Sequence, residues 1–344
     1  MPEPITTTSY DANNRQLTFG DKTITYDDNG NLQSITVSNG TTLYQWNARN
    51  QLVGISGPYV NASFVYDGAG RREKKTINGS LAEFLYDGLN PVQETAGTTV
   101  LANVLPGLGI DEFLTRTDVS AGVTSNFLAD ALGSAIAVTD GSGTVQTEYN
   151  YEAFGRTTTT GTSNPSSYQY TGRENDGTGL YYYRARYYQP ALQRFISEDP
   201  LGLAGGDIHL YGYVANSPLK YTDPLGLFRN PWEIFNDAMN DARQTGLPGA
   251  HNGAQDAYRH CLASCLMAKE NGQGPAIAFG WANEKYGDWA HNQEQGERAM
   301  DNSNNACGRN FAKNKQDCKN SCLAAAQNGT LKTYQSGSSP GYWY

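Results

Sequence analysis

Two aspartates 24 residues apart, Asp199 and Asp223, each stand directly before a proline. Proline disfavours helical backbone at the residue before it, so both carboxylates are expected on extended or turn backbone. If the two meet, they cannot both ionise at close range; one pKa rises and the pair shares a proton. One carboxylate then activates a water while the other protonates a leaving amine, which is the chemistry of peptide hydrolysis. A peptide lies close by in the chain, the bond between Leu227 and Phe228. Asp-Pro turns are common, and the spacing alone is also met by two ordinary turn residues.

A second group of reactive residues follows. The segment from His251 to His260 holds His251, Asp256, Arg259 and His260 within ten residues. On a helix Asp256 and His260 are i, i+4 and share a face. Glu284, Asp288 and His291 again fall on one face, and Asp301, Asn304, Asn305 and Arg309 come after them. An Asp-His pair suits a general base with an orienting carboxylate, and two histidines with a glutamate suit zinc. No His-Glu-x-x-His signature is present. The expected site lies where His251–His260 meets Glu284–His291. There His260 is the base, Asp256 orients it or ligates a metal, and Arg259 holds an anionic substrate group. Helix capping and ion pairing on a solvated face remain the alternative.

All five cysteines lie beyond residue 260. Cys261 and Cys265, and again Cys318 and Cys322, are one helical turn apart. In an antiparallel helix hairpin they can form two disulfides; a four-cysteine metal site and buried free thiols are the alternatives. Disulfides would place the domain outside a reducing cytosol. Cys307 is left over.

The elements that must position these groups differ before and after Leu227. Tyr26-Asp27, Trp46-Asn47, Tyr66-Asp67 and Tyr86-Asp87 recur every 20 residues, each after an alternating apolar run and before a turn. Alternation bounded by such turns reads as hairpins, and hairpins at a fixed period read as a stacked all-β array. Each aspartate is expected to bond its own turn backbone. Looser copies follow at 128–133 and 149–155, while 96–125 reads less clearly, and a strand pair over 101–114 broken at Pro106-Gly107 stays open there. Beyond Leu227 the spacing turns helical over 232–243 and 253–271, as one or two helices over 276–299 and as a pair or one long helix over 305–329, and 330–344 reads as a loop.

The chain has 344 residues, which suggests about two domains. Residues 1–227 carry 14 Lys and Arg against 23 Asp and Glu, whereas 228–344 carry 11 of each. Neither part is basic, so no nucleic-acid partner is indicated. No apolar run is long enough to span a membrane, and the first residues lack the features of a signal peptide.

The run Gly179-Leu180-Tyr181-Tyr182-Tyr183-Arg184-Ala185-Arg186-Tyr187-Tyr188 is followed by Arg194-Phe195-Ile196-Ser197-Glu198-Asp199-Pro200. After these come Asn216-Ser217-Pro218 and the terminal Asp223-Pro224-Leu225-Gly226-Leu227. Together and in this order they resemble the core-associated segment of RHS/YD-repeat proteins. Departures are Gln189, where many members carry Asp, and the short repeat region. The resemblance implies YD repeats over 1–171, an autoproteolytic segment over 172–227 and an α-rich toxin-type cargo over 228–344. It implies that Asp199 and Asp223 form an aspartyl autoprotease supported by Arg186, cutting between Leu227 and Phe228 without a cofactor. In the family the repeats spiral into a hollow shell. The cargo is usually a toxin, delivered by a contractile (type VI) or Tc-type machine and matched by an immunity protein. The cargo's activity and cofactor stay open between a hydrolase acting in the target's envelope and a non-enzymatic, membrane-active or partner-binding domain.

Overall fold

The computed structural model describes residues 7–205, 207–229, 231–271, 276–277 and 295–334. The chain divides into two compact units, Met1–Leu219 with Asp223–Leu227, and Lys220–Thr222 with Phe228–Tyr344.

In the first unit sixteen strands, from β1 (Thr8–Tyr10) to β16 (Thr157–Gly161), form one antiparallel sheet in strict chain order. Local turn chemistry produces that order. Asp27 Oδ1 accepts from the backbone N–H groups of Asn29 and Asn31 at 3.0 and 2.8 Å, and Asn47 and Asp67 repeat the pattern. Such a side chain copies a backbone turn. At each of these turns the strand register slips, beside Tyr26, Trp46 and Tyr66. The fourth copy departs from the pattern: its strand (Ser80–Asp87) runs through Asp87 and turns at Gly88-Leu89, with Gly88 at φ +60°. Asp130 in the looser copy bonds Leu132 and Ser134 in the same way, and Asp140 adds a further such turn. The indistinct stretch resolves into strands Thr99–Pro106 and Phe113–Asp118, followed by Val123–Ala129.

The repeated aromatics tie one unit to the next. Trp46 Nε1 donates to Leu32 O, Tyr66 Oη to Leu52 O and Tyr86 Oη to Arg72 O, at 2.6–2.8 Å. Each polar tip reaches a carbonyl 14 residues back while its ring stays in the apolar layer.

The inner face of the array packs on the segment that follows it. Ile24, Leu32, Leu52 and Phe64 share a core with Leu180, Tyr182, Tyr187 and Ile196. That segment carries its own small sheet, β17 (Glu174–Asn175), β18 (Tyr181–Tyr183), β19 (Arg186–Gln189) and β20 (Arg194–Phe195). Within this core Arg72 is fully buried and stacks 4.2 Å over the Tyr182 ring. It bonds Glu174 at 2.5 Å and Asp176 at 2.9 Å, and Lys75 reaches Asp176 at 3.0 Å. Burial opposes the charge on both carboxyls, yet the nearby Arg72 and Lys75 outweigh it and hold both below the usual range.

The second unit has four helices of ten or more residues among the described ones: α1 (Pro231–Gln244), α2 (Ala254–Glu270), α3 (Gln295–Lys313) and α4 (Cys318–Gln327). Of the pair or single long helix expected over 305–329, the pair is present, its first helix starting ten residues earlier. They separate where Lys315 takes φ +57° and Asp317 caps α4, accepting from Asn320 N at 2.7 Å. Disulfides Cys261–Cys322 and Cys265–Cys318 staple α2 to α4, with Cα separations of 5.8 and 5.6 Å. α2 and α3 approach so closely that a Cβ at Gly308 would sit 2.0 Å from Cys261 O, and only glycine fits there. Glu284, Asp288 and His291 lie outside the described residues, as does the tail beyond Tyr334.

Replacing Arg72 by Met leaves Glu174 and Asp176 with too little positive charge in a buried site. Urea unfolding of this unit should show a loss of about 3–5 kcal/mol. A loss under about 1 kcal/mol would show that the network is dispensable.

Candidate active site

The turn between β18 and β19, Arg184-Ala185, forms the floor of the first site. Arg186 follows it on β19 and is almost wholly buried, its guanidinium 3.7 Å over the Phe195 ring. Its Nε donates to Gly226 O at 2.5 Å and its Nη1 to Leu210 O at 3.1 Å. The remaining nitrogen, Nη2, faces Asp199 Oδ2 at 3.0 Å and Asp223 Oδ2 at 3.6 Å. The two carboxylate oxygens therefore lie no farther apart than the sum of these distances.

Backbone contacts fix each aspartate. Asp199 donates its N–H to Leu210 O at 2.9 Å, and its Oδ1 accepts from Leu201 N at 2.8 Å. Asp223 is completely buried, and its Oδ1 accepts from Leu227 N at 2.9 Å, closing the Asp-Pro-Leu-Gly-Leu loop on itself. That loop rests on the Arg184-Ala185 turn, where Ala185 N donates to Leu225 O at 3.1 Å. Gly226 sits at φ +68°, and a Cβ there would come within 2.3 Å of Tyr183 O. No other residue fits.

Burial raises the Asp199 carboxyl above its ordinary value, against the opposing pull of Arg186. Burial also pushes the Arg186 guanidinium below its usual value, with Asp223 and then Asp199 pulling the other way. The result is a pair of nearby carboxyls, one disposed to keep its proton, beside the Leu227 amide.

The second unit gathers a different set. His260 is buried on α2, with its Nε2 3.7 Å from Asp256 Oδ1 and 3.3 Å from Asp301 Oδ1 on α3. One donor atom from each of the three lies within 4.8 Å of the others, a set that could hold a metal ion. Arg259 already places Nη2 2.5 Å from Asp256 Oδ1 and 2.9 Å from His260 Nε2, so its guanidinium supplies positive charge at that point. Burial and then Arg259 lower the His260 pKa to about 4, against the pull of Asp256 and a hydrogen bond with Asn305. Asn305 in turn accepts from Ser264 Oγ at 3.0 Å.

His251 stands apart. It is 74% exposed and pairs with Glu297 at 3.3 Å. Asp301 and Asn305 are the partners that sequence reasoning did not assign a role. Their signal is the i, i+4 spacing on α3, which matches that of Asp256 and His260 on α2.

A model of the Teneurin YD-shell family matches residues 3–219. The chain belongs to that family. Residues 230–334 match a domain of unknown function, DUF6973. The tRNA3(Ser)-specific nuclease WapA of Bacillus spizizenii is 33% identical over 230 residues, 63% of this chain and 10% of that protein. Toxin subunit YenC2 of Yersinia entomophaga is 39% identical over 107 residues, 29% of this chain and 11% of that one. The double-stranded DNA deaminase toxin A of Burkholderia cenocepacia is 29% identical over 262 residues, covering 63% and 18%. The chain thus spans less than a fifth of the length of each of these relatives. The solved structure of TcdB2-TccC3 without its hypervariable C-terminal region aligns over 60% of this chain and 13% of that one, at 22% identity and a TM-score of 0.45.

The His260 ring should stay neutral down to about pH 4. Between its ordinary value near 6.5 and that point the unfolded chain binds a proton that the folded one refuses, so stability falls as pH drops through this window. An NMR titration of the ring Cε1 proton checks this, and a midpoint near 6.5 would contradict it. Reducing both disulfides, whose partners are 61 and 53 residues apart, should destabilise the helical unit by more than about 3 kcal/mol in thermal unfolding, the second bond adding less than the first because the two are nested.

Proposed function

We propose that this chain belongs to an RHS-type effector in which residues 172–227 cut the chain after Leu227 and release 228–344 as a toxin. The observation that carries this reading is the single Arg186 nitrogen facing both Asp199 and Asp223, while Asp223 holds the Leu227 N–H. Asp223, as the carboxylate, takes a proton from a water whose oxygen attacks the Leu227 carbonyl carbon. Asp199, whose pKa is raised by burial, gives its proton to the Phe228 nitrogen as the carbon–nitrogen bond breaks. Arg186 offsets the negative charge of the pair, and no cofactor takes part.

The released domain is read as a hydrolase acting in the envelope of a target cell. His260 is its base, Asp256 and Asp301 flank that base, and Arg259 meets an anionic group on the substrate. Two disulfides agree with an oxidising compartment, and 11 basic against 11 acidic residues over 228–344 give no basic surface for a phosphate backbone. Relatives named as toxins support delivery by a secretion machine and protection of the producer by an immunity protein.

Intact mass of the purified protein should show two fragments, the smaller beginning at Phe228. Asp199→Asn and Asp223→Asn should each leave one chain, and cleavage at this bond in both variants would sink the dyad. Residues 228–344 sent to the periplasm should be toxic and lose toxicity with His260→Ala. Toxicity indifferent to that change points to a non-enzymatic cargo.

A further inference from the structure

We infer that Arg184 is a positioning residue for self-cleavage, clamping the peptide next to Asp223 onto the repeat array. The inference rests on the self-cleavage reading. Arg186 meets both carboxylates, whereas the contacts of Arg184 lie elsewhere. Its Nη1 donates to the Pro224 carbonyl and to Asp111 Oδ2, the latter at 2.9 Å. Its Nη2 donates to Asp111 Oδ1 at 2.6 Å and to Leu89 O at 3.0 Å. One planar fork therefore joins three stretches far apart in sequence: the Gly88-Leu89 turn, the 107–112 loop and the Asp-Pro-Leu-Gly-Leu segment.

The parts of the clamp are held for the purpose. Arg184 sits at φ +58°, left-handed backbone uncommon for arginine, and Asp111 at φ +61°, which aspartate adopts more readily. Asn90 braces Asp111 from the array, accepting the Asp111 N–H at 2.9 Å and donating to Gly109 O at 2.8 Å. Arg173 bonds the same Asp111 carboxylate. Gly172 leaves room for it, since a Cβ there would come 2.3 Å from Asp111 O. Lysine, a single compact charge, cannot span two carboxylate oxygens and two carbonyls at once.

The consequence is regulatory. Arg186, Asp199 and Asp223 all belong to the segment after the repeats, so that segment alone could seem sufficient for the chemistry. The clamp makes the cut peptide's placement depend on the hairpin turning at Gly88-Leu89 and on the following loop. Cleavage then proceeds only where that part of the array has formed.

The test follows the cleavage rate of the full chain, synthesised as a pulse in a cell-free system and diluted into buffers of different pH. Arg184→Lys should slow cleavage by about ten- to a hundredfold, the scale of a misplaced reacting group. The pH midpoint should stay where it is in the unaltered protein, because the Arg184 guanidinium bonds Asp111, Pro224 O and Leu89 O and not the Asp199–Asp223 pair. Arg184→Ala should be slower still and regain rate with sub-denaturing methylguanidinium, without a rise in melting temperature. Asn90→Ser, which loosens Asp111 without touching Arg184, should slow cleavage too, and it serves where the Arg184→Ala chain does not fold. Unaltered rates in Arg184→Lys and Asn90→Ser, with Asp199→Asn uncut, would overturn the clamp alone. A shifted pH midpoint would place Arg184 in the electrostatics of the pair and also overturn it. An unaltered chain that never cuts overturns both the clamp and the reading beneath it.

Discussion

A guanidinium held away from water beside two carboxyls is the constraint on which the first unit's chemistry depends. Removing an ion from water costs several kcal/mol, so each Arg186 nitrogen must find an acceptor. Leu210 O and Gly226 O take two of them and the carboxylates share the third. One positive charge cannot neutralise two negative ones, and burial makes the surplus expensive. A proton retained on Asp199 resolves this, which is the sense in which its carboxyl is raised. The requirement that satisfies Arg186 thus also leaves a carboxyl disposed to keep its proton beside a second carboxyl. Gly226 follows from the same geometry, because its carbonyl can reach Arg186 only if no Cβ stands against Tyr183 O.

The same solution recurs through the unit. Arg72 with Glu174 and Asp176, Arg116 with Glu94, and Arg173 with Asp111 are all buried pairs. Such pairs are weak sources of net stability compared with apolar packing of equal volume. What they add here is register. Apolar contacts between Ile24, Phe64 and Leu180 tolerate a strand sliding by a repeat, because every repeat offers a similar face. Arg72 does not tolerate it, since the other repeats do not place an arginine at the matching position: Leu32, Leu52 and Pro91 stand nearest to it. Charge pairing therefore fixes which repeat meets which part of the closing segment.

What was legible in the sequence was local. The 20-residue period, the Asp27 and Asp67 turns and the helical spacing of 254–270 depend on neighbours within a few residues, and those signals were readable. The Tyr-Tyr-Tyr-Arg-Ala-Arg and Asp-Pro motifs carried a family resemblance and so led to Arg186, Asp199 and Asp223. Groups joined across long stretches left no such trace. His260 meets Asp301 from another helix, and Arg184 meets Asp111 from 73 positions away. Nor does spacing reveal that the aromatics bond carbonyls 14 residues back, because alternation reports the face of a strand and not the polar end of a side chain. Asp87 shows the limit from the other direction: it repeats the motif, yet the strand runs through it, because Gly88 offers a tighter turn. His251 and His260 are close in sequence but belong to different environments, one exposed before α2 begins and the other buried inside it.

The contrast between the units gives the proposed cut its physical sense. The first unit has no cysteine and is held by a continuous sheet and buried ion pairs. The second relies on close helix packing at Gly308 and on two covalent staples within its own residues. Both staples join positions within 261–322, so neither is lost when the chain is opened at Leu227. Stability is marginal in any single domain, so two covalent staples add a large share of the margin of this one. The staples also impose a condition on where that margin exists. In a reducing compartment the thiols would be free, the loops they close would regain their entropy, and the buried His260 cluster would lose the α2 support on which its geometry rests. If the chain is cut as proposed, the cysteines lie where they would keep the helical domain folded after it leaves the chain that carried it.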